Sequence, residues 1–197
     1  KQYNLTLHVR SSFNYNEGTI VKEVATMNKD MEKEMVVCGV AHDTNVVKAS
    51  IFGVPDIPGA ASEIFNKLAR SGINVDMIVQ SGTRDSKQDM SFTAVRSDRK
   101  KIEAVLSDVV ENMPAESYAL DDTVAKVSVV GAGMISRPGV AAKVFQVLSK
   151  NNINILLIST SEIKISCIVD ELETKKAVRA LHTAFELDAD TLVNVEA

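Results

Sequence analysis

The sequence predicts an α+β protein: two ferredoxin-like βαββαβ units in tandem. Three observations predict it. The chain contains an internal repeat, each copy switches between strand and helix periods in the same order, and 197 residues are enough for two small cores. One copy reads KASIFGVPDIPGAASEIFNKLARSGINVDMIVQS from Lys48 to Ser81. The other reads KVSVVGAGMISRPGVAAKVFQVLSKNNINILLIST from Lys126 to Thr160. Lys48 aligns with Lys126 and Gly53 with Gly131. After a short insertion in the second copy, Pro58-Gly59 aligns with Pro138-Gly139, Ala61 with Ala141, Phe65 with Phe145, Leu68 with Leu148, and Ile73-Asn74 with Ile153-Asn154. Self-similarity of this length marks a duplicated supersecondary unit.

Each element follows from its periodicity. Ser50–Val54 and Lys126–Val130 are short apolar runs rich in β-branched residues and read as buried strands. Ala61, Ile64, Phe65 and Leu68 recur at helical spacing, as do Ala141, Val144, Phe145 and Leu148. Pro58 and Pro138 fall where a first helical turn tolerates proline; Gly72 and the pair Asn151-Asn152 suit the helix exits. Val75–Gln80 and Ile155–Ser159 read as strands, followed by a further apolar strand in each copy (Met90–Val95; Ile163–Val169). Ile102, Val105, Leu106, Val109 and Val110 mark a second helix, with Val178, Leu181 and Phe185 as its counterpart. A last strand is expected at Ser117–Leu120 in the first copy and at Thr191–Val195 in the second.

That order is the split βαβ plan: one four-stranded antiparallel sheet with two helices on one face. The other face needs cover, from the other copy or from another subunit. Met35–Ala41 is an additional strand candidate that would complete the second copy's sheet and make the first copy an insertion within the second. Near the start, Leu5, Leu7 and Val9 alternate with polar residues, so Tyr3–Arg10 reads as a strand, and 14–30 as a polar linker or flexible tail. The expected domains are therefore 1–34, a leading segment; 35–121, the first unit, with 35–47 alternatively a strand of the second; and 122–197, the second unit.

Composition excludes several functions. With 22 Lys and Arg against 26 Asp and Glu, the net charge is −4, which argues against nucleic-acid or anionic-membrane binding. No apolar run approaches a membrane helix. RNA recognition on this strand order needs exposed aromatics, and only 5% of residues are aromatic, with no Trp. Cys38 and Cys167 lie in separate apolar runs and read as two buried thiols in a reducing, cytoplasmic setting; His8, His42 and His182 are scattered, so no metal-ligand cluster is expected. The chain opens at Lys1 and reads as a fragment or a trimmed product without a signal peptide.

No phosphate loop, HExxH or GxSxG is present. Gly131-Ala132-Gly133-Met134-Ile135-Ser136 imitates a dinucleotide fingerprint, but Ser136 stands for the third glycine and no acid follows at the next strand, so a tight turn explains it better. A small phosphatase or transferase on this fold would need a nucleophile–base pair, and none is visible. The positive signal is the corner Asp56-Ile57-Pro58-Gly59-Ala60-Ala61 and its counterpart Ser136-Arg137-Pro138-Gly139-Val140-Ala141. A helix that begins at glycine leaves its first N–H groups unshielded, at the positive end of the helix dipole, which suits a carboxylate. A free amino acid also needs acceptors for its ammonium; Asn74, Val75 and Asp76, or Asn154 and Ile155, stand where the following strand begins. The alternative is that Pro-Gly merely starts each helix. The segment 82–89 reads as a mobile hairpin loop.

At these residues the sequence resembles tandem ACT domains, the small-molecule sensing modules of amino-acid metabolism. VSVVGAGMISRPGVAAKVF followed by NINILLISTSEIKIS resembles the C-terminal regulatory region of the aspartokinase family, and DIPGAASEIFNKLARSGINVDMIVQS agrees. HVRSSF, from His8, resembles the last strand of that family's kinase domain, so 1–34 would be its end and a linker. The resemblance implies a regulatory region or subunit with no catalytic residues or cofactor of its own; ATP and Mg would serve an absent kinase domain that phosphorylates aspartate, and that domain or large subunit would be a partner. It implies a homodimer through the ACT domains, with lysine and/or threonine as effectors between them. Carried over by position, one pocket would use Asp56, Gly59, Ala60, Ala61 and Gln80, facing Asn154 and Ile155 of a second chain. The other would use Met134, Val140, Ala141 and Ser161, facing Asn74, Val75 and Asp76. Ser136 replaces an acid, so the two pockets should differ in preference, and Thr83 carries little weight. A sensor attached to another amino-acid enzyme, such as homoserine dehydrogenase, is the alternative.

Overall fold

The computed structural model describes residues 7–10, 12–13, 19–21, 36–131, 134 and 137–187. A short hairpin comes first: β1 (Leu7–Val9) pairs antiparallel with β2 (Thr19–Val21), His8 opposite Ile20. Within 14–30, read as a linker or flexible tail, residues 19–21 form a strand instead. Thr19-Ile20-Val21 is a β-branched triplet, too short to show a period against its polar neighbours.

The first unit comprises β4 (Val46–Pro55), α1 (Ala60–Arg70), β5 (Val75–Gln80), β6 (Lys87–Val95), α2 (Arg99–Asn112) and β7 (Ser117–Asp121). The second comprises β3 (Gly39–Asp43), β8 (Val124–Val130), α3 (Val140–Lys150), β9 (Leu157–Thr160), β10 (Lys164–Asp170) and α4 (Thr174–Ala184). The sheet orders are β5-β6-β4-β7 and β3-β8-β10-β9, antiparallel throughout. Both are the ferredoxin-like order, and the α+β fold is as the repeat predicts.

The two cores are built alike. Val47, Ala49, Ile51 and Val54 of β4 point at Ile64 and Leu68 of α1 and at Ile102, Leu106 and Val109 of α2. Val127 and Val129 of β8 point at Val144 and Leu148 of α3 and at Ala177 and Leu181 of α4. Both first helices end in a Schellman motif, which pairs carbonyls the helix would otherwise leave open. Gly72 N–H donates to Ala69 O and Ile73 N–H to Leu68 O at 3.0 and 3.1 Å. Asn152 and Ile153 repeat this on Ser149 and Leu148 at 2.9 and 3.0 Å. On the sheet faces turned from the helices, Ser50 shares a hydroxyl hydrogen bond with Ser91, and Ser128 with Ser166, each at 2.8 Å.

The edge places beside the two first strands are filled in different ways. In the first unit β7 takes it, on β4. In the second, β3 pairs with β8 from Gly39 opposite Val130 to Asp43 opposite Lys126. The second unit's edge strand therefore precedes the first unit in sequence. The strand expected at Thr191–Val195 lies outside the described residues.

The helix-free sheet faces meet at one end. Val46 and Met77 of the first unit join Val124 and Ile168 of the second in one buried cluster, with Leu157 half-buried against it. Asp76 pairs with Lys126 across this seam, and Arg96 Nη2 lies 2.9 Å from Glu171 Oε2. At this end, then, each copy covers the other.

Gly131 is required by packing. A Cβ on it would lie 2.2 Å from Val36 O and 2.6 Å from Val37 Cα, where the chain entering β3 crosses the end of β8. Because the obstacle is backbone, relief means moving β3. Gly131→Ala is expected to cost about 1–3 kcal/mol in chemical denaturation and to raise amide exchange in Gly39–Asp43 above that in Ser117–Asp121, the edge strand of the other unit.

Candidate functional site

The Pro-Gly corners are tight turns placed just before each helix. Ile57 to Ala60 forms a type II turn: Ala60 N–H donates to Ile57 O at 3.3 Å, and Gly59 takes φ 100°, ψ −21°. Gly139 repeats these angles at φ 97°, ψ −9°. A type II turn needs positive φ at its third residue, which glycine supplies without strain. The prolines thus precede the helix caps instead of sitting in the first helical turn, which corrects the expectation from sequence.

This geometry has a chemical consequence. The usual N-cap side chain accepts from the second or third helical N–H. Glycine cannot, and no side chain caps α1 or α3. Among the described residues, the N–H groups of Ala61 and Ser62 have no acceptor, and nothing stands within 4 Å of where a Cβ on Gly59 or Gly139 would be. Each corner therefore presents open N–H donors at the positive end of an eleven-residue helix. Ala60 and Val140 are buried beneath it, and Ala61 and Ala141 are half-buried.

The first corner is fastened to the β5–β6 hairpin. Thr83 Oγ1 donates to Asp56 Oδ2 at 2.5 Å, and Asp56 N–H donates to Ser86 O at 3.0 Å. Gln80, at the end of β5, donates from Nε2 to Gln88 Oε1, and Gln88 is itself buried. The hairpin closes on Asp85 and Ser86, both at positive φ (51° and 59°), with Arg84 and Lys87 exchanging backbone hydrogen bonds at 2.8 and 2.9 Å. The segment read as a mobile loop is thus a closed two-residue turn, and Thr83 touches the corner directly. Sequence offered little sign of this, because neither turn residue is glycine. The second unit has only Ser161 to Ile163 between β9 and β10.

The expected site residues fall into four groups. Asp56, Gly59, Ala60, Ala61 and Gln80 gather at one end of the first unit, because β4 and β5 both run toward it. Val140, Ala141, Met134 and Ser161 gather at the same end of the second unit, with Met134 against the core. Asn74, Val75 and Asp76 lie at the opposite end of their sheet, as do Asn154 and Ile155 of theirs. An eleven-residue helix separates the two ends of each unit, or about 16 Å. The seam joins the ends that carry Asp76, so the corners lie away from it. No single chain brings a corner together with the strand start proposed to face it. Asp76 is already paired with Lys126, so a ligand's ammonium would meet a carboxylate that has a partner.

Two open concavities lie elsewhere. One, between α1 and α2, is bordered by Lys67, Lys101 and Arg70, but Lys67 holds Asp108 at 2.6 Å and Lys101 holds Asp98 at 3.0 Å. The hydrogen bond from Lys67 keeps the Asp108 carboxyl below the usual range. The other lies under the hairpin, beside Gly53 and Glu116. Among the described residues, no group of His, Cys, Asp and Glu could hold a metal ion.

Fold and corners together define a tandem ACT-domain protein. An ACT-domain family model matches residues 49–111, and a second ACT-domain model matches residues 127–185. The chain is 43% identical over 192 residues to the aspartokinase of Bacillus sp. (strain MGA3), covering 98% of this chain and 46% of that one. It thus spans about half the length of the curated relatives it matches. A crystal structure of aspartokinase alpha and beta subunits superposes with a TM-score of 0.71 at 47% identity, covering 76% of this chain and 99% of that one. The ligand-free regulatory subunit of aspartate kinase from Thermus thermophilus superposes with a TM-score of 0.72 at 39% identity, again covering 76% and 99%. The chain belongs to the aspartokinase family and corresponds to its regulatory part.

The cysteines differ, against the expectation that both are buried. Cys38 is exposed, where the chain enters an edge strand; Cys167 is buried among the second unit's core residues. Burial pushes the Cys167 thiol up from 9.0 to about 11. The unfolded chain therefore loses that proton first, and stability falls as pH rises between about 9 and 11 while staying unaffected below. Native protein at pH 8 is expected to take up one equivalent of a maleimide, on Cys38. Cys167→Val should flatten the alkaline decline in unfolding free energy by about 2 kcal/mol, as read by denaturant melts from pH 8 to 11.

Proposed function

We propose that this chain senses end-product amino acids for an aspartokinase, binding lysine and/or threonine at interfaces between the ACT units of two chains. One observation carries the reading: each chain holds two uncapped helix corners and two strand starts, and places them at opposite ends of each unit. A carboxylate suits the open N–H groups of Ala61 and Ser62, and those that follow Gly139. An ammonium suits the carbonyls and side chains that begin the other unit's second strand. A second chain, related by a two-fold axis, would bring the two kinds of half-site together. Strands β5 and β9 favour this, since each forms a sheet edge in the single chain and carries an exposed apolar side chain, Ile78 at 53% and Ile158 at 39%.

In this reading the pocket at Asp56 and Gln80 faces Asn154 and Ile155 of the second chain. The pocket at Met134, Val140, Ala141 and Ser161 faces Asn74, Val75 and Asp76. Asp56 and Gln80 read the effector's polar groups, and the hairpin holds both in place. Occupied pockets favour one arrangement of the dimer. They thereby bias an associated kinase domain or large subunit, which uses ATP and Mg to phosphorylate aspartate in the cytoplasm, toward its inactive state. The shift cannot exceed the effector's differential affinity for the two states, on the order of 1–3 kcal/mol.

Calorimetric titration beside light scattering tests this. Saturable heat from lysine or threonine is expected, with the scattering mass at twice that of one chain. Ala61→Leu, which sets a larger side chain over the open N–H groups, should weaken binding at least tenfold with little change in melting temperature. Absence of heat from both amino acids in a monomeric protein would refute the proposal.

A further inference from the structure

The seam between the two units has internal symmetry that the repeat alignment alone does not reveal. Asp43-Thr44-Asn45-Val46 leads from β3 into β4, and Asp121-Asp122-Thr123-Val124 leads from β7 into β8. Both connections are Asx turns: Asn45 N–H donates to Asp43 Oδ1 at 2.8 Å, and Thr123 N–H to Asp121 Oδ1 at 3.0 Å. Each then accepts from the far end of the neighbouring strand, Arg96 N–H to Asn45 O at 3.2 Å and Glu171 N–H to Thr123 O at 2.9 Å. Val46 matches Val124, and Met77 matches Leu157, inside one apolar cluster.

These matched contacts divide the chain in a new way. One half runs from β3 to α2, the other from β7 to α4. Each half begins with a strand that it gives to the other half's sheet: β3 goes to β8, and β7 goes to β4. The halves are thus reciprocal strand-exchange partners about a local two-fold axis.

Two pairs break the symmetry: off the axis Asp76 meets Lys126, whose equivalents are Leu156 and Lys48, and on the axis stand Arg96 and Glu171. Arg96 and Glu171 occupy equivalent positions and face each other, with Nη2 to Oε2 at 2.9 Å and Nη1 to Oε1 at 3.4 Å. Arg96 also reaches the matched carbonyls of both connections, Nε to Val46 O at 3.5 Å and Nη2 to Val124 O at 3.4 Å. A seam between two first halves would set Arg against Arg, and one between two second halves Glu against Glu. We infer that the Arg96–Glu171 pair is the element that makes this exchange interface accept only a first half joined to a second half. It discriminates by opposing like charges in the wrong pairings.

The two-fold axis makes the test sharp, because an arginine at 171 would find the same two carbonyls that Arg96 uses now. A protease site is inserted after the exposed Pro114 in the full chain and cut after folding. The nicked halves are expected to co-elute one to one and to unfold in a single transition. Arg96→Glu should raise the concentration at which they separate at least tenfold. Arg96→Glu with Glu171→Arg should restore it to within about threefold of the parent. Nicked halves that separate while each keeps its circular dichroism would overturn the exchange. A double variant no better than Arg96→Glu alone would overturn the role of the pair. Melting of the uncut variants, in the same rank order, covers the case in which nicked Arg96→Glu precipitates.

Discussion

The architecture depends on the seam where the two sheets meet through their helix-free faces. Five apolar side chains, Val46, Met77, Val124, Leu157 and Ile168, are shielded there. At about 25 cal/mol per Å² of apolar area removed from water, such a cluster is worth a few kcal/mol, comparable with the net stability of a small domain. The seam does more than stabilise. By joining the two units at the ends that carry Asp76, it leaves both Pro-Gly corners at the ends away from it. The two ion pairs beside it are partly exposed, so each adds modest energy as a favourable pair, while opposed like charges in a wrong pairing would cost more.

From that placement the chemistry of the corners follows. A glycine N-cap leaves two or three helical N–H groups seeking an acceptor, and the type II turn holds the corner open by removing any Cβ. The same turn recurs in both units with φ differing by only a few degrees, 100° against 97°. What distinguishes the corners is their surroundings. The first is tied by Asp56 and Thr83 to the β5–β6 hairpin, whose counterpart in the second unit closes over only three residues, Ser161 to Ile163. In the proposed function, two pockets built on one backbone plan would thus read different side chains, since orientation comes from the helix and discrimination from the groups around it.

Much of this was legible in the sequence, for a physical reason. Helices and central strands announce themselves through burial, and burial sets the period of Ile64, Leu68, Ile102 and Leu106 directly. The corner glycines were legible because positive φ leaves few alternatives. Less legible was anything decided by a distant partner. The run at 35–41 looks like a strand for either unit; only its crossing over Gly131 and pairing with β8 assign it. Cys38 sits in an apolar run yet is exposed: it lies just before β3, and its neighbour Val37 takes the core-facing place. The engagement of Asp76 by Lys126, fifty residues away, has no local sign at all. Thr19–Val21 is too short for a period, and the Asp85-Ser86 turn lacks the glycine that usually marks one.

In the proposed function, binding sites complete themselves only between chains. Complementation between two defective dimers tests it most directly. One variant carries Ala61→Leu, which closes its own corner; the other carries Asn154→Ala, which spoils the strand start that serves a partner's corner. Each alone should lose the pocket built on Asp56. When the two are unfolded together, refolded and titrated, mixed dimers should regain one such pocket each, made from the intact corner of one chain and the intact strand of the other. Recovery of about a quarter of the parental sites is the expected result, from half the dimers being mixed and each carrying one of two sites. No recovery in mixed dimers verified by mass would mean that corner and strand act within one chain, and the account would be wrong.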